Sequence, residues 1–392
     1  MGRPPSPRSC ARRGRTRTAR VSPGGGSGVG VDLHRLLQTV VDKGATDLHL
    51  TVGSPPAMRI DGKLYKLKSP PLQAADTQEL AYSLMTEKQR KVFETHNEVD
   101  MSFKWRDKSR FRANFFRQKG FVAGALRQIP HSVLPIEKLG LPPAVLEVIQ
   151  KPNGLVLVTG PTGSGKSTTL ASLIDQLNEA HRGHILTIED PIEFLHDHKN
   201  CIVNQREIGS DTMTFANALK YALRQDPDFV LVGEIRDRET MEIALRIAET
   251  GHLTLATLHT NSAVQTIHRI LDFFPSDQQE MIRTQISFVL QCIITQKLLR
   301  RVDGGRVLCP EVLLPNHAIR ALIRDDKTHQ IYSAMQVGQT QSGMCTMNQS
   351  LFSLVENNII AREEAWQASP DQNELAKMLS AKDGDQKAKK KG

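Results

Sequence analysis

A chain of 392 residues has room for two or three domains, and 39% hydrophobic with 5% aromatic residues suits a soluble α/β protein. The net charge of +9 gives little support to a nucleic-acid groove: seven arginines and no acid lie in residues 1–30, residues 381–392 add three charges, and the body carries −1. Five scattered cysteines without a C-x-x-C pair give no zinc site or disulfide framework and suit a reducing cytosol. No apolar run approaches the roughly 20 residues of a membrane helix.

Residues 1–30, rich in Arg and running into PGGGSGVGV, read as a disordered basic extension. Residues 31–43 follow as an amphipathic helix on Leu33, Leu36, Leu37, Val40 and Val41. ATDLHLTVG alternates as a strand, and MRIDGKLYKL sets Asp61-Gly62 between two strand-like runs, a hairpin signal. A single polar helix is expected from about Ala74 to Thr95, then three strands in VDMSFKW, RFRANFFRQ and FVAGALRQI. Residues 31–130 therefore read as a small α+β domain. Residues 131–150, with three prolines, read as a linker and hinge with a short helix.

From Gly154 the pattern changes. GLVLVTG, HILTIED, DFVLVGE and HLTLATLHT are short apolar runs of the kind found in buried parallel strands. Helical stretches such as TTLASLIDQLNEA and ETMEIALRIAET lie between them, which argues for a parallel sheet covered on both faces over residues 151–370. From about Thr266 onward the reading is mostly helical. It includes AIRALIRDDK (318–327), where Ala318, Ile319, Leu322 and Ile323 share one face, Arg320 and Arg324 another, and Asn316 is the N-cap. The lysine-rich residues 371–392 read as a disordered tail.

GPTGSGKS (160–167) fits G-x-x-x-x-G-K-[ST] between a strand and a helix. Glycines at 160, 163 and 165 allow a tight turn that points amides inward, and the following helix adds its positive end. Gly160, Pro161, Thr162, Gly163, Ser164, Gly165, Lys166, Ser167 and Thr168 thus form a segment for the phosphates of a nucleoside triphosphate, with Lys166 on the β- and γ-phosphates and the Ser167 hydroxyl on Mg²⁺. Glu189, Asp190 and Glu193 cluster after the next strand, where open α/β sheets place their sites. In DFVLVGEIRD the apolar run ends in Gly233-Glu234, and Glu234 is placed as a Walker B carboxylate would be, able to hold Mg²⁺ through water or orient the attacking water. His252 and His259 bracket a strand; a strand ending between them lets both reach a site, with His252 at the nucleotide and His259, after the strand, as a polar γ-phosphate sensor. Without a third ligand at metal spacing, zinc is rejected.

GPTGSGKSTT, TIEDPIEF, LRQDPDFVLVGEIRDRET and TGHLTLATLHTNSA, in this order, resemble the Walker A, Asp, Walker B and His boxes of the secretion ATPases. These are the hexameric motors of type II and type IV secretion and of type IV pili, and the resemblance spans about residues 31–370. It implies a PAS-like α+β N-terminal domain, a RecA-like P-loop ATPase domain with a C-terminal helical bundle, and a homohexamer. AIRALIRD resembles the motif AIRNLIRE of the pilus-retraction branch, departing at Ala321 and Asp325. The absence of a four-cysteine insertion and of a long extra N-terminal domain favours that branch over assembly motors.

The resemblance further implies that Arg112 and Arg127 act on the nucleotide, that Glu193 supports Mg²⁺ or the water, that Glu189 belongs to the nucleotide site, and that Arg224 senses nucleotide at a subunit interface. It implies an inner-membrane platform protein as partner, with an accessory retraction ATPase as a further one. It places the motor in the cytoplasm, peripheral to the membrane at the pilus base, with no nucleic acid and no transmembrane segment. An accessory retraction ATPase, a nucleic-acid translocase and a non-hydrolysing adaptor are the rival readings.

Overall fold

The computed structural model describes residues 32–60, 62–106, 109–129 and 133–389, with side chains of 338–342 and 381–389 left aside. The reading of residues 1–30 as disordered lies outside these residues, as does most of the tail's final lysine run. The chain divides into two compact units, Met1–Gln128 and Ile129–Gly392.

The first unit opens with α1 (Leu33–Asp42), then β1 (Asp47–Leu50), β2 (Ala57–Ile60) and β3 (Lys63–Lys66). Ile60 pairs with Lys63 across a two-residue turn in which Gly62 has φ 79°, as the Asp-Gly signal predicts. The expected single polar helix is two, α2 (Ala74–Leu84) and α3 (Glu87–His96). Thr86 breaks it, because its side chain caps Gln89 and Gln89 caps it in return. Strands β4 (Glu98–Trp105), β5 (Ser109–Gln118) and β6 (Phe121–Ile129) complete a six-stranded sheet in the order β3-β2-β1-β6-β5-β4. Leu36, Leu37, Leu80 and Phe93 of the helices pack with Leu48, Phe111, Phe115 and Leu126 of the strands. Gly124 is required there, since a Cβ would lie 2.6 Å from the Phe115 ring. This is the PAS-like α+β fold expected.

The second unit begins with a packed segment. Residues 136–139 form a 3₁₀ turn and α4 spans Ala144–Val148. Ile136, Leu139, Val145, Val148 and Ile149 are buried against the sheet core. The segment expected as a linker over 131–150 holds the short helix predicted for it and packs its apolar residues on the sheet core; residues 130–132 lie outside the described ones.

The sheet follows as β7 (Gly154–Thr159), α5 (Lys166–Ala180), β8 (His184–Glu189), β9 (Ile202–Glu207), α6 (Phe215–Ala222), β10 (Phe229–Val232), α7 (Arg238–Glu249), β11 (Leu253–Leu258), α8 (Ala263–Asp272) and α9 (Ser276–Val289). Helix α9 runs directly into β12 (Leu290–Arg300), which pairs antiparallel with β13 (Arg306–Leu313) across a turn at Gly304-Gly305. The expectation of mostly helix after Thr266 is therefore wrong at these two strands. The seven-stranded order is β13-β12-β7-β11-β10-β8-β9. Both faces are covered, which explains the unbroken apolar strands: Leu155 and Leu157 enter one core, Val156 and Val158 the other.

Helices α10 (His317–Arg324), α11 (Ile331–Ser342), α12 (Met347–Glu356), α13 (Arg362–Ala368) and α14 (Gln372–Lys389) close the chain. The tail expected to be disordered from 371 is helical to Lys389, because Leu375 and Leu379, one turn apart, bury against Met347 and Leu351. In α10, Ile319 and Ile323 are buried in the core beneath the sheet, Leu322 is partly packed and Ala318 is exposed. That helix docks on α9 and the core beneath the sheet, with Asn316 capping Ile319 at 3.0 Å as expected.

Candidate functional site

Strand register brings the motifs to one edge. Thr159 pairs with Leu258, Ala256 with Val232, and Val232 with Ile188. Glu189, Glu234 and His259 therefore follow neighbouring strand ends beside the glycine loop, at the carboxyl edge where parallel sheets build sites.

The loop is held from below. Gly160 (φ 141°) faces the Gln296 carbonyl oxygen so closely that no Cβ fits, and Gly165 (φ 90°) precedes α5. Gln296 of β12, fully buried, donates to Ser164 O at 2.8 Å and accepts from Thr169 Oγ1 at 3.0 Å. Ser164 Oγ is buried without a protein partner, an open hydrogen-bonding position in the cradle. Lys166 Nζ donates to the carbonyl oxygens of Gly160 (2.9 Å) and Pro161 (3.1 Å). Partial burial lowers its pKa, while Glu234 and Glu193 act on it in the opposite sense, which places both carboxylates within electrostatic reach.

Glu234 is gripped at both oxygens, by Arg236 at 2.8 Å and by His259 Nε2 at 3.1 Å. The Arg236 hydrogen bond holds its carboxyl below the usual range, and His259 and Lys166 add to that. Glu189 differs. Burial pushes its carboxyl up to about 7, although Thr187 Oγ1 (2.6 Å) and Gln205 Nε2 (3.2 Å) donate to it. Glu193 lies in the loop after Asp190-Pro191, partly buried; its backbone hydrogen bond to Glu189 favours the Glu189 carboxylate, and its own charge disfavours it to a lesser extent. Ser167 follows Lys166 at the start of α5, and Lys166 lies within electrostatic reach of Glu193 and Glu234; hydroxyl and carboxylate oxygens are the donor type that suits Mg²⁺.

Two expected residues lie elsewhere. His252 precedes β11, where its Nδ1 bonds Ile247 O at 3.1 Å beyond the end of α7. The strand between it and His259 separates them by roughly 20 Å, so His252 is removed from the nucleotide site of its own chain. Arg224 is exposed just past α6, at the edge where β10 begins. In the other unit, Arg112 and Arg127 are both exposed on strands whose alternate residues enter the core, so they share the solvent face of that sheet. Arg127 pairs with Asp47 at 2.8 Å. Missed from the sequence were Arg236, Gln296 and Gln205; for Gln296 the one signal was a polar residue interrupting an apolar run.

A glycine loop between strand and helix, its lysine facing two acids, and a gripped carboxylate on the adjoining strand define a P-loop ATPase. The chain belongs to the type II/IV secretion system protein family, whose model matches residues 27–390. It is 49% identical over 335 residues to the type IV pilus retraction ATPase PilT of Pseudomonas aeruginosa, covering 86% of this chain and 97% of that one. It is 40% identical over 350 residues to the type IV pilus ATPase PilU of the same organism, covering 89% and 91%. Among solved structures, the pilus retraction motor PilT with bound ADP superposes with a TM-score of 0.83 at 54% identity, covering 88% of this chain and 99% of that one.

Proposed function

We propose that this chain is the ATP-hydrolysing motor of type IV pilus retraction, and hence of twitching motility. The observation that supports this most is the Lys166–Glu234–His259 grouping in a chain that spans 97% of a retraction ATPase. The accessory type, at 40% identity, is the second reading.

In the proposed reaction the loop amides and Lys166 hold the β- and γ-phosphates of ATP. Ser167 and Glu193 are the residues that would hold Mg²⁺, which supplies charge neutralisation on the phosphate oxygens. Glu234, kept ionised by Arg236, orients the attacking water, and His259 reports the γ-phosphate through the carboxylate that it bonds. Glu189, protonated in part near neutrality, limits the negative charge around Glu193. Arg112 and Arg127 stabilise the developing phosphoryl charge, worth ~10³-fold or more for such arginines. Arg224, exposed, reads the nucleotide of a neighbouring subunit.

The motor is a homohexamer that acts on the inner-membrane platform protein of the pilus machine, with an accessory retraction ATPase as a further partner. It works in the cytoplasm against the membrane at the pilus base; among the described residues no helix is long and apolar enough to cross a membrane. Deletion in the native host, scored for surface pili, tests the reading. Excess pili that do not retract are expected, whereas bald cells would indicate an assembly motor.

A further inference from the structure

The loop that carries Glu193 is anchored by side chains. Residues 190–199 contain neither helix nor strand. Glu207 Oε2 accepts from the Ile192 amide at 3.1 Å, and Asn178 accepts from the Lys199 amide at 3.1 Å while donating to Asp197 O at 2.7 Å. Gln205 does more. Its Nε2 donates to Phe194 O at 2.8 Å and to Glu189 Oε1 at 3.2 Å, and its Oε1 accepts from the His196 amide at 2.9 Å. An amide side chain offers two N–H groups and one oxygen, so all its groups are engaged. Phe194 follows Glu193 directly, so the backbone on one side of Glu193 is set by an amide that also grips the Glu189 carboxyl. Gln205 stands beside Thr187 in the β8–β9 register, and Thr187 holds the same Glu189 oxygen.

We propose that Gln205 is a positioning residue for the metal half of the site: it holds the Glu193 loop where Glu193 and Ser167 together bind a divalent cation. This rests on the reading of Glu193 given above. An apolar side chain of equal length fills the same volume but has no donor for Phe194 O or Glu189, so the loop loses its tie to the strand end. Phosphate binding by the glycine loop is held separately, by Gln296, and is untouched.

The test uses the full chain and equilibrium binding of a methylanthraniloyl derivative of ADP, first in EDTA and then across a Mg²⁺ titration. Gln205→Met is expected to bind within about twofold of the parent in EDTA but to need ~10-fold more Mg²⁺ for half-maximal tightening, since losing the support of a metal ligand weakens metal binding 10–100-fold. Glu193→Gln is expected to shift the Mg²⁺ midpoint at least as far. An unshifted midpoint in Gln205→Met beside a shifted Glu193→Gln overturns the proposal alone. An unshifted Glu193→Gln overturns the reading of Glu193 and the proposal with it. Weakening in EDTA as large as that in Mg²⁺ also overturns it. If Gln205→Met does not fold, Gln205→Asn, one carbon short of its three partners, carries the same readout.

Discussion

At the residue scale, the site depends on atoms that admit no substitution and on charges set by their neighbours. Gly160 combines φ 141° with a Cβ direction blocked by Gln296 O and Ser164 Oγ. Gly160→Ala should weaken nucleotide binding more than ~10-fold with little change in the fold; unaltered affinity for the fluorescent ADP would remove the steric argument. Glu234→Gln keeps the shape of the carboxylate but neither its charge nor its full grip on Arg236 and His259. Turnover in the purified protein should be lost with the oligomer intact, and an unchanged ATPase rate would sink the assigned role. His196 titrates far from its ordinary value. Burial pushes it down to about 4, and its Nδ1 has no hydrogen-bond partner. Above pH 6.5 neither folded nor unfolded chain is protonated there. Between 6.5 and 4 the unfolded chain takes a proton that the native state refuses, so stability falls with pH, by up to about 3 kcal/mol. Thermal melts of His196→Gln should show a flatter slope over that window than the parent.

At the element scale, two features couple helices to the sheet. Glu311 of β13, 2% exposed, accepts from the first amides of α8 (Ala263, 2.7 Å) and α12 (Met347, 3.2 Å). Glu311→Ala leaves two buried donors without partners, a loss of about 3 kcal/mol. A melting temperature within 1–2 °C of the parent would contradict that, given roughly 2–4 °C per kcal/mol in a unit of this size. In α10 the two arginines that share a face in the sequence separate. Arg320 is half-buried and donates to Phe288 O (3.0 Å) and Ser287 O at the end of α9, where a cation suits the helix dipole. Arg324 is exposed beside Asp325. Ile319→Ala should therefore destabilise the ATPase unit itself, by about 3 kcal/mol. A loss of retraction after an Ile319 and Leu322 double change would report on core packing, whereas Arg324→Ala probes the surface that α10 leaves open.

At the scale of the whole molecule, the same chemistry could serve a nucleic-acid translocase. The near-neutral body argues against it, and ATPase activity should be unchanged within about twofold by added DNA. What was legible in the sequence followed its locality. The glycine loop, the strand ends and the helix of α10 are written in contiguous residues, so spacing alone located Lys166, Glu234 and His259. Strand β12 was hidden because α9 passes into it between Val289 and Leu290 without a glycine or proline to mark the change. Gln296 was hidden because its partners are distant in sequence, Ser164 lying 132 residues away; Gln205 was hidden although its partners lie within 16 residues, because Phe194 and His196 stand in a segment without helix or strand and so without periodicity. His252 stands apart from His259 because the reading needed the strand to end between them, whereas β11 runs unbroken from Leu253 to Leu258.

The strand order also sets a timetable. Strand β7, from which the glycine loop springs, pairs with β11 and β12 and with neither of the strands that precede or follow it. Roughly 130 residues separate the end of β7 from the start of β12. At ~5–20 residues per second of synthesis, β7 waits on the order of ten seconds for its last neighbour to be made. In that interval the glycine loop lacks Gln296 beneath it. Nascent chains stalled before residue 290 should therefore fail to retain nucleotide, and those stalled well past the β12–β13 turn should begin to.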